Sequence, residues 1–137
     1  MSGSTAGKAY GFGQGAIVQE FGYDDDVAFE LREAIETATG IELEDEDYRG
    51  VADGVLAWWR SDDGDVDDLT DYLVDVAASL DSDLSVVWLV VPAPREKLHV
   101  PTDIVNDAAT TAGMSVTSSM GIGSHWTAYR ITVSRSR

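Results

Sequence analysis

Hydrophobic residues along this chain switch between two spacings. Ala16–Phe21 is a short apolar, partly β-branched run closed by Gly22, the pattern of a strand. Beyond it Val27, Leu31, Ala34, Ile35 and Ala38 recur at helical spacing, and Gly40 stands where a left-handed helix end belongs. Asp24, Asp25 and Asp26 occupy the positions expected of an N-cap and first-turn acids. Ile41-Glu-Leu-Glu44 alternates briefly before dissolving into acids by Asp47, predicting a short edge strand whose outward charges discourage further pairing. Val51–Arg60, through Val55, Leu56, Ala57, Trp58 and Trp59, predicts a buried strand that Ser61–Gly64 breaks.

Asp65 then reads as the N-cap of a second helix, with Val66, Leu69, Leu73, Val76, Ala77 and Leu80 as its core stripe. Leu84–Val91 is apolar on both faces, as a central parallel strand covered by helices on each side must be, and Pro92 and Pro94 end it. Pro101 fits the start of a third helix, whose stripe is Ile104, Val105, Ala108 and Ala112 and whose end is Gly113. Met114–Met120 and Trp126–Val133 alternate as strands, with Gly121–His125 as a hairpin-like connection.

Strands alternating with helices and closing on a hairpin predict an α/β fold. The architecture is a three-layer, Rossmann-like, mostly parallel sheet with helices on both faces and a C-terminal antiparallel hairpin strand. With no internal repeat or linker, residues 14–134 form a single domain. Residues 1–13 read as a flexible Gly- and Ser-rich arm in which Tyr10 and Phe12 can pack locally, and residues 135–137 as a short basic tail.

Composition narrows the function classes. A chain of 137 residues can bury a real core. Its 25 Asp and Glu against 9 Lys and Arg give a net charge of −16, which repels phosphates over about 8 Å at physiological salt. Nucleic acid and anionic membranes are therefore not expected partners; the leading reading of the charge is a solubilising surface, and the alternatives are an unknown, basic protein partner or a mimic of nucleic-acid charge. The absence of cysteine excludes disulfides and thiolate metal sites and suits a reducing cytoplasm. Val86–Val91, the longest apolar run, is too short to span a bilayer, and the first residues lack a signal-peptide core. The expectation is a cytoplasmic protein of unspecified oligomeric state.

Several stretches carry a family resemblance: Val18-Gln-Glu-Phe-Gly-Tyr-Asp-Asp-Asp26, Leu31-Arg-Glu33, Asp45-Glu-Asp-Tyr48, Val51-Ala-Asp53 and Trp59-Arg-Ser-Asp-Asp-Gly-Asp65. Ala112-Gly113 and Trp126-Thr-Ala-Tyr-Arg130 add to it. Together they resemble the actinobacterial "domain of unknown function 3052" family over about residues 10–134, on a fold similar to a truncated class I methyltransferase. The resemblance implies that fold and brings no assigned activity with it.

The turn after the first strand is where such a fold would hold a ligand. Glu20-Phe-Gly-Tyr-Asp24 begins like the acidic-x-Gly-x-Gly turn with which methyltransferases hold S-adenosylmethionine. Asp24 replaces the second glycine, and a carboxylate there opposes the cofactor's own. Helix capping is the leading reading of Asp24–Asp26, an altered ligand turn the other. No cofactor is expected. Asp62–Asp68 lacks the register of an EF-hand, and no metal site is expected. His99 and His125 fall on different loops and no Gly-x-Ser-x-Gly elbow is present, so no catalytic residue is assigned. The candidate ligand or partner surface is Gly22, Tyr23, Asp24, Asp25, Trp59, Arg60, His125 and Trp126, all at the carboxyl edge of a parallel sheet. Trp58 and Trp59 alternate faces, and core packing is their expected role; an aromatic rim of Tyr23, Arg60 and Trp126 around a crevice is the alternative. The leading expectation is a non-catalytic binding or regulatory module, the runner-up a small divergent S-adenosylmethionine-dependent methyltransferase.

Overall fold

The computed structural model describes residues 9–80 and 85–133. Its elements are β1 (Val18–Phe21), α1 (Phe29–Thr39), β2 (Gly54–Trp58), α2 (Val66–Val76), β3 (Val86–Pro92), α3 (Thr102–Thr111), β4 (Met114–Ile122) and β5 (Trp126–Val133). They build one five-stranded sheet in the order β1-β2-β3-β5-β4. The first three strands are parallel, and β5 runs antiparallel to both β3 and β4. The fold is thus the α/β, Rossmann-like sheet that the hydrophobic spacing predicts.

Alternation of side chains across the strands sends the core to both faces. On one face Leu56, Trp58, Trp88 and Val90 meet Leu31 and Ile35 of α1. On the other Val55, Ala57, Val87 and Leu89 meet Leu69 and Leu73 of α2 and Val105 and Ala108 of α3. β2 and β3 are buried along their whole lengths, as strands covered on both faces must be. Burying a side chain such as Leu69 or Ile35 stabilises the fold by about 1.5–3 kcal/mol.

The capping of α2 follows the sequence: Asp65 accepts from the Asp68 N–H, and Asp68 accepts in return from the Asp65 N–H, each at 3.0 Å. That of α1 does not. Its N-cap is Ala28, with no side-chain cap, and Asp24–Asp26 lie in the turn ahead of the helix. Asp24 folds that turn on itself, its carboxylate accepting from the Asp25 N–H at 2.7 Å and its carbonyl from the Val27 N–H at 3.3 Å. Asp26 is drawn away to Arg60 instead.

The edge strand expected at 41–47 is reduced to one rung. Glu44 donates to Val18 O and accepts from the Glu20 N–H, and the chain then leaves the sheet. The Gln19 side-chain amide gathers the carbonyls of Asp45, Glu46 and Tyr48 and fixes the loop against β1 instead. Of the arm assigned to residues 1–13, residues 1–8 lie outside the described residues. Tyr10 and Phe12 are built into the domain: Tyr10 meets Trp88 edge-on at 5.5 Å, and Phe12 is buried against Gly54. Leu84 and the tail at 135–137 also lie outside the described residues.

Candidate functional site

The carboxyl edge collects the ends of β1, β2 and β3 and the β4–β5 hairpin, and it is organised around Arg60. β2 ends at Trp58, and Trp59 continues into the core on the α2 side, where it packs on Tyr72 at 4.8 Å. Arg60 turns inward and is buried. Its Nη1 donates to Gly22 O at 2.9 Å, its Nη2 to Asp26 Oδ1, and its Nε to Asp26 Oδ2 at 3.2 Å. The guanidinium also lies over the Trp126 ring, 5.6 Å from its centroid. Burial opposes the Arg60 charge, but the Asp26 carboxylate outweighs it and holds the guanidinium above its ordinary range.

Gly22 is held from every side. Its N–H donates to Glu46 Oε2 at 2.8 Å, and its carbonyl accepts from Arg60. Its φ of +77° suits glycine, and a Cβ there would stand 2.4 Å from Trp58 O and 2.8 Å from the Tyr72 hydroxyl. That hydroxyl donates to Trp58 O at 2.9 Å, and burial pushes its pKa well above the usual tyrosine range. The hydrogen-bonding groups at the ends of β1 and β2 are therefore met by the chain's own polar groups, and a cleft of about 360 Å³ lies over them, lined by Gly22, Tyr23, Asp24, Glu46, Trp59 and Arg60.

Glu20 is also consumed inside the protein. Arg32 holds it with Nε and Nη2, both at 2.8 Å, and the Trp58 indole N–H donates to Oε2 at 2.9 Å. The hydrogen bond that Arg32 donates to Glu20, aided by the charge of that carboxylate, raises the Arg32 pKa against the opposing effect of burial.

The expected surface divides in two. Tyr23 is exposed, meets Phe29 edge-on at 6.2 Å and carries the Arg32 guanidinium over its ring at 4.9 Å. Trp126 is buried, edge-on to Trp58 at 5.0 Å and beneath Arg60. Tyr23 and Arg60 line the cleft over the β1 turn with Gly22, Asp24 and Trp59, whereas Trp126 and His125 line a second cleft, so Tyr23, Arg60 and Trp126 do not share one rim. Asp24 and Asp25 are exposed on the Tyr23 side. His125 lies on the Trp126 side, its Nδ1 2.8 Å from Glu96 Oε2.

On that second side a cleft of about 400 Å³ opens between the start of α1, the loop after β3 and the hairpin. Val27, Ala28, Pro92, Leu98, Ile122 and Trp126 give it an apolar floor; Asp26, Glu30 and Glu96 are its acids, and Lys97 and His125 its basic groups. Glu30 reaches across the mouth, so that a Cβ on Gly123 would come within 2.8 Å of its Oε2. Sequence reasoning passed over Glu46, Tyr72, Glu30 and Glu96. Tyr72 had a signal, standing three residues from Leu69 on the same helix side; Glu46, inside an aperiodic acidic run, had none. Among the described residues no group of three or more His, Asp and Glu is placed to hold a metal ion, and no helix is long and apolar enough to cross a membrane.

Residues 7–135 match the family described as "Protein of unknown function (DUF3052)". The chain belongs to that family. It is 40% identical over 134 residues to the uncharacterised protein Rv2239c of Mycobacterium tuberculosis, covering 98% of this chain and 82% of that protein. The uncharacterised protein Mb2263c of Mycobacterium bovis matches to the same extent. Among solved structures, the mitomycin 7-O-methyltransferase MmcR superposes with a TM-score of 0.61 at 15% identity, over 97% of this chain and 54% of that one. The neocarzinostatin O-methyltransferase NcsB1 gives 0.64 at 14% identity, over 87% and 49%. This member of the DUF3052 family therefore has a methyltransferase-like fold and spans about half the length of those enzymes. At such identities the likeness is one of fold alone.

Proposed function

We propose that this protein is a cytoplasmic, non-catalytic binding module on a methyltransferase-like fold, and that it engages a basic protein partner through its carboxyl edge. The observation that carries this reading is that both backbone hydrogen-bonding groups of Gly22 are already taken at the β1 turn. The backbone donor of Gly22 is spent on Glu46, its acceptor on Arg60, and its Cα is packed on Trp58 O. Asp24 adds a carboxylate beside a cofactor that carries its own. The residues present do not fit S-adenosylmethionine at that turn. Beside the β1 turn, the cleft under the hairpin joins an apolar floor to Glu30, which suits a Lys or Arg side chain with its aliphatic stem buried. The −16 net charge would draw such a partner in.

Calorimetry with S-adenosylmethionine and S-adenosylhomocysteine tests the first half of the reading. No saturable heat is expected; a micromolar site lost in Tyr23→Ala or Asp24→Ala would overturn it. Titration with Arg- and Lys-containing peptides at low and high salt tests the second half. Binding that weakens with salt and is abolished by Glu30→Lys supports the proposal, and indifference to both rejects it.

A second reading draws on the cleft under the hairpin itself: a small, divergent S-adenosylmethionine-dependent methyltransferase that uses this volume in place of the turn whose backbone groups are taken. It requires a cofactor heat that Ile122→Trp, by filling the cleft, removes.

A further inference from the structure

The two edges of the sheet are finished differently. At β1 the Glu44 rung and the loop held by Gln19 occupy the outer side. At the other end β4 pairs with β5 on one side and with no described strand on the other. Ser115 and Thr117–Gly121 are exposed. Such an edge presents unpaired backbone donors and acceptors, and proteins normally blunt it with lysine, proline, inward-pointing charge or a β-bulge. β4 has no lysine, proline or charge of its own; its register shift between Val116 and Ser118 protects the first half, and beyond it Ser118–Ile122 runs in regular register with Arg130–Trp126.

The charge distribution says which partner suits this edge. One quarter of the chain is charged, yet no Asp, Glu, Lys or Arg occurs from Ala108 to Tyr129. That interval holds the whole of β4 and the hairpin. Two copies carrying −16 each repel one another wherever their acidic surfaces meet. This acid-free strand, with Arg130 of β5 beside it donating from Nη1 to Thr117 Oγ1 at 2.9 Å, is where they can approach with least opposition, whereas a basic partner would be drawn to the acids elsewhere. An antiparallel strand edge is also complementary to itself about a two-fold axis. The small Ser118, Ser119 and Gly121 leave room for the backbones to close.

We propose that β4 pairs antiparallel with β4 of a second copy through Ser118–Gly121, joining the two sheets into one. The paired segment stops one residue short of Ile122, which lines the cleft, and the proposal does not rest on what that cleft binds.

Analytical ultracentrifugation of the full chain across concentration and salt tests the pairing. A dimer is expected that strengthens with salt, as the screening length falls from about 10 Å at 0.1 M to about 3 Å at 1 M. Ser119→Lys sets a charge against its own copy and is expected to raise the dimer Kd about tenfold or more with an unchanged circular dichroism spectrum. If that variant misfolds, amide exchange of the wild-type chain replaces it, with protection of Ser118–Gly121 expected to grow with protein concentration. A monomer under all conditions, a dimer weakened by salt, a folded Ser119→Lys chain that dimerises as before, or exchange at those amides independent of concentration would each overturn the proposal.

Discussion

Arg60 grips Asp26 with two of its nitrogens across 34 positions of sequence, and its third hydrogen bond anchors the carbonyl of Gly22. The two partners are unequal, since the Arg60 side chain is 10% exposed and that of Asp26 54%. Arg60→Ala should cost about 2–3 kcal/mol, because it also strips a donor from Gly22 and a cation from the Trp126 face. Asp26→Ala should cost a comparable amount, about 2–3 kcal/mol, because it leaves the buried guanidinium without the carboxylate that offsets its burial. Urea unfolding of both variants checks this, and a loss of less than about 1 kcal/mol in Asp26→Ala would defeat this account of the pair.

Glu20 and Arg32 should show strong coupling. Arg32→Met leaves a buried carboxylate short of its cation, and Glu20→Gln leaves the cation short of its charge. The double variant should therefore be more stable than the sum of the single losses predicts, by about 1–3 kcal/mol. A double-mutant cycle in urea measures it, and simple additivity would mean that the pair is not energetically linked.

Gly22 and Gly40 share a left-handed backbone, at φ +77° and +81°, and differ only in what surrounds them. Gly40→Ala meets nothing within 4 Å and should lose only about 1–2 kcal/mol, the cost of the backbone conformation. Gly22→Ala adds a clash with the carbonyl of a buried strand and should lose at least about 2 kcal/mol more. Thermal unfolding of the two variants isolates the close approach. Similar melting temperatures would deny it.

A Cβ on Gly54 would stand 2.2 Å from the Phe12 ring, so that Gly54→Ala must expel the phenyl group. Phe12→Ala alone should cost about 3 kcal/mol. In that background Gly54→Ala should become nearly neutral. If it costs as much as in the wild type, the segment at Phe12 is not what the glycine accommodates.

The Asp65 carboxyl is held below the usual aspartate range, first by the Asp68 N–H. A folded pKa below the unfolded value of about 3.9 means that the stabilisation is complete above that value and is lost as pH falls through the lower one. Asp65→Asn keeps a capping oxygen and cannot titrate. The wild type should lose melting temperature relative to Asp65→Asn as pH drops below about 4. A constant difference between the two would show that the cap does not depend on charge.

The elements themselves were legible, and particular residues show why. Leu69 and Leu73 mark α2 because a helix repeats its buried face every three or four residues, whatever it packs against. The run through β3 announced a strand covered on both sides. The capping box at Asp65 closes within four residues, so both of its members are visible in one glance at the chain. The aspartates before α1 look locally the same, yet Asp26 serves Arg60 and leaves Ala28 as the cap. Local spacing could not distinguish the two cases, since the competing partner lies on another strand.

The turn after β1 divides what the two levels decide. By itself the sequence determined the α/β plan, the parallel sheet with its C-terminal hairpin, and the position of Gly22 at the carboxyl edge, because burial patterns are set by local periodicity. Only the tertiary structure decided that the hydrogen-bonding groups of this turn are occupied. Glu46 reaches it through a loop pinned by Gln19, Tyr72 from a helix, and Arg60 from the chain just beyond β2. Which hydrogen-bonding groups meet at Gly22 depends on distances across the fold, and those exist only once the strands have paired.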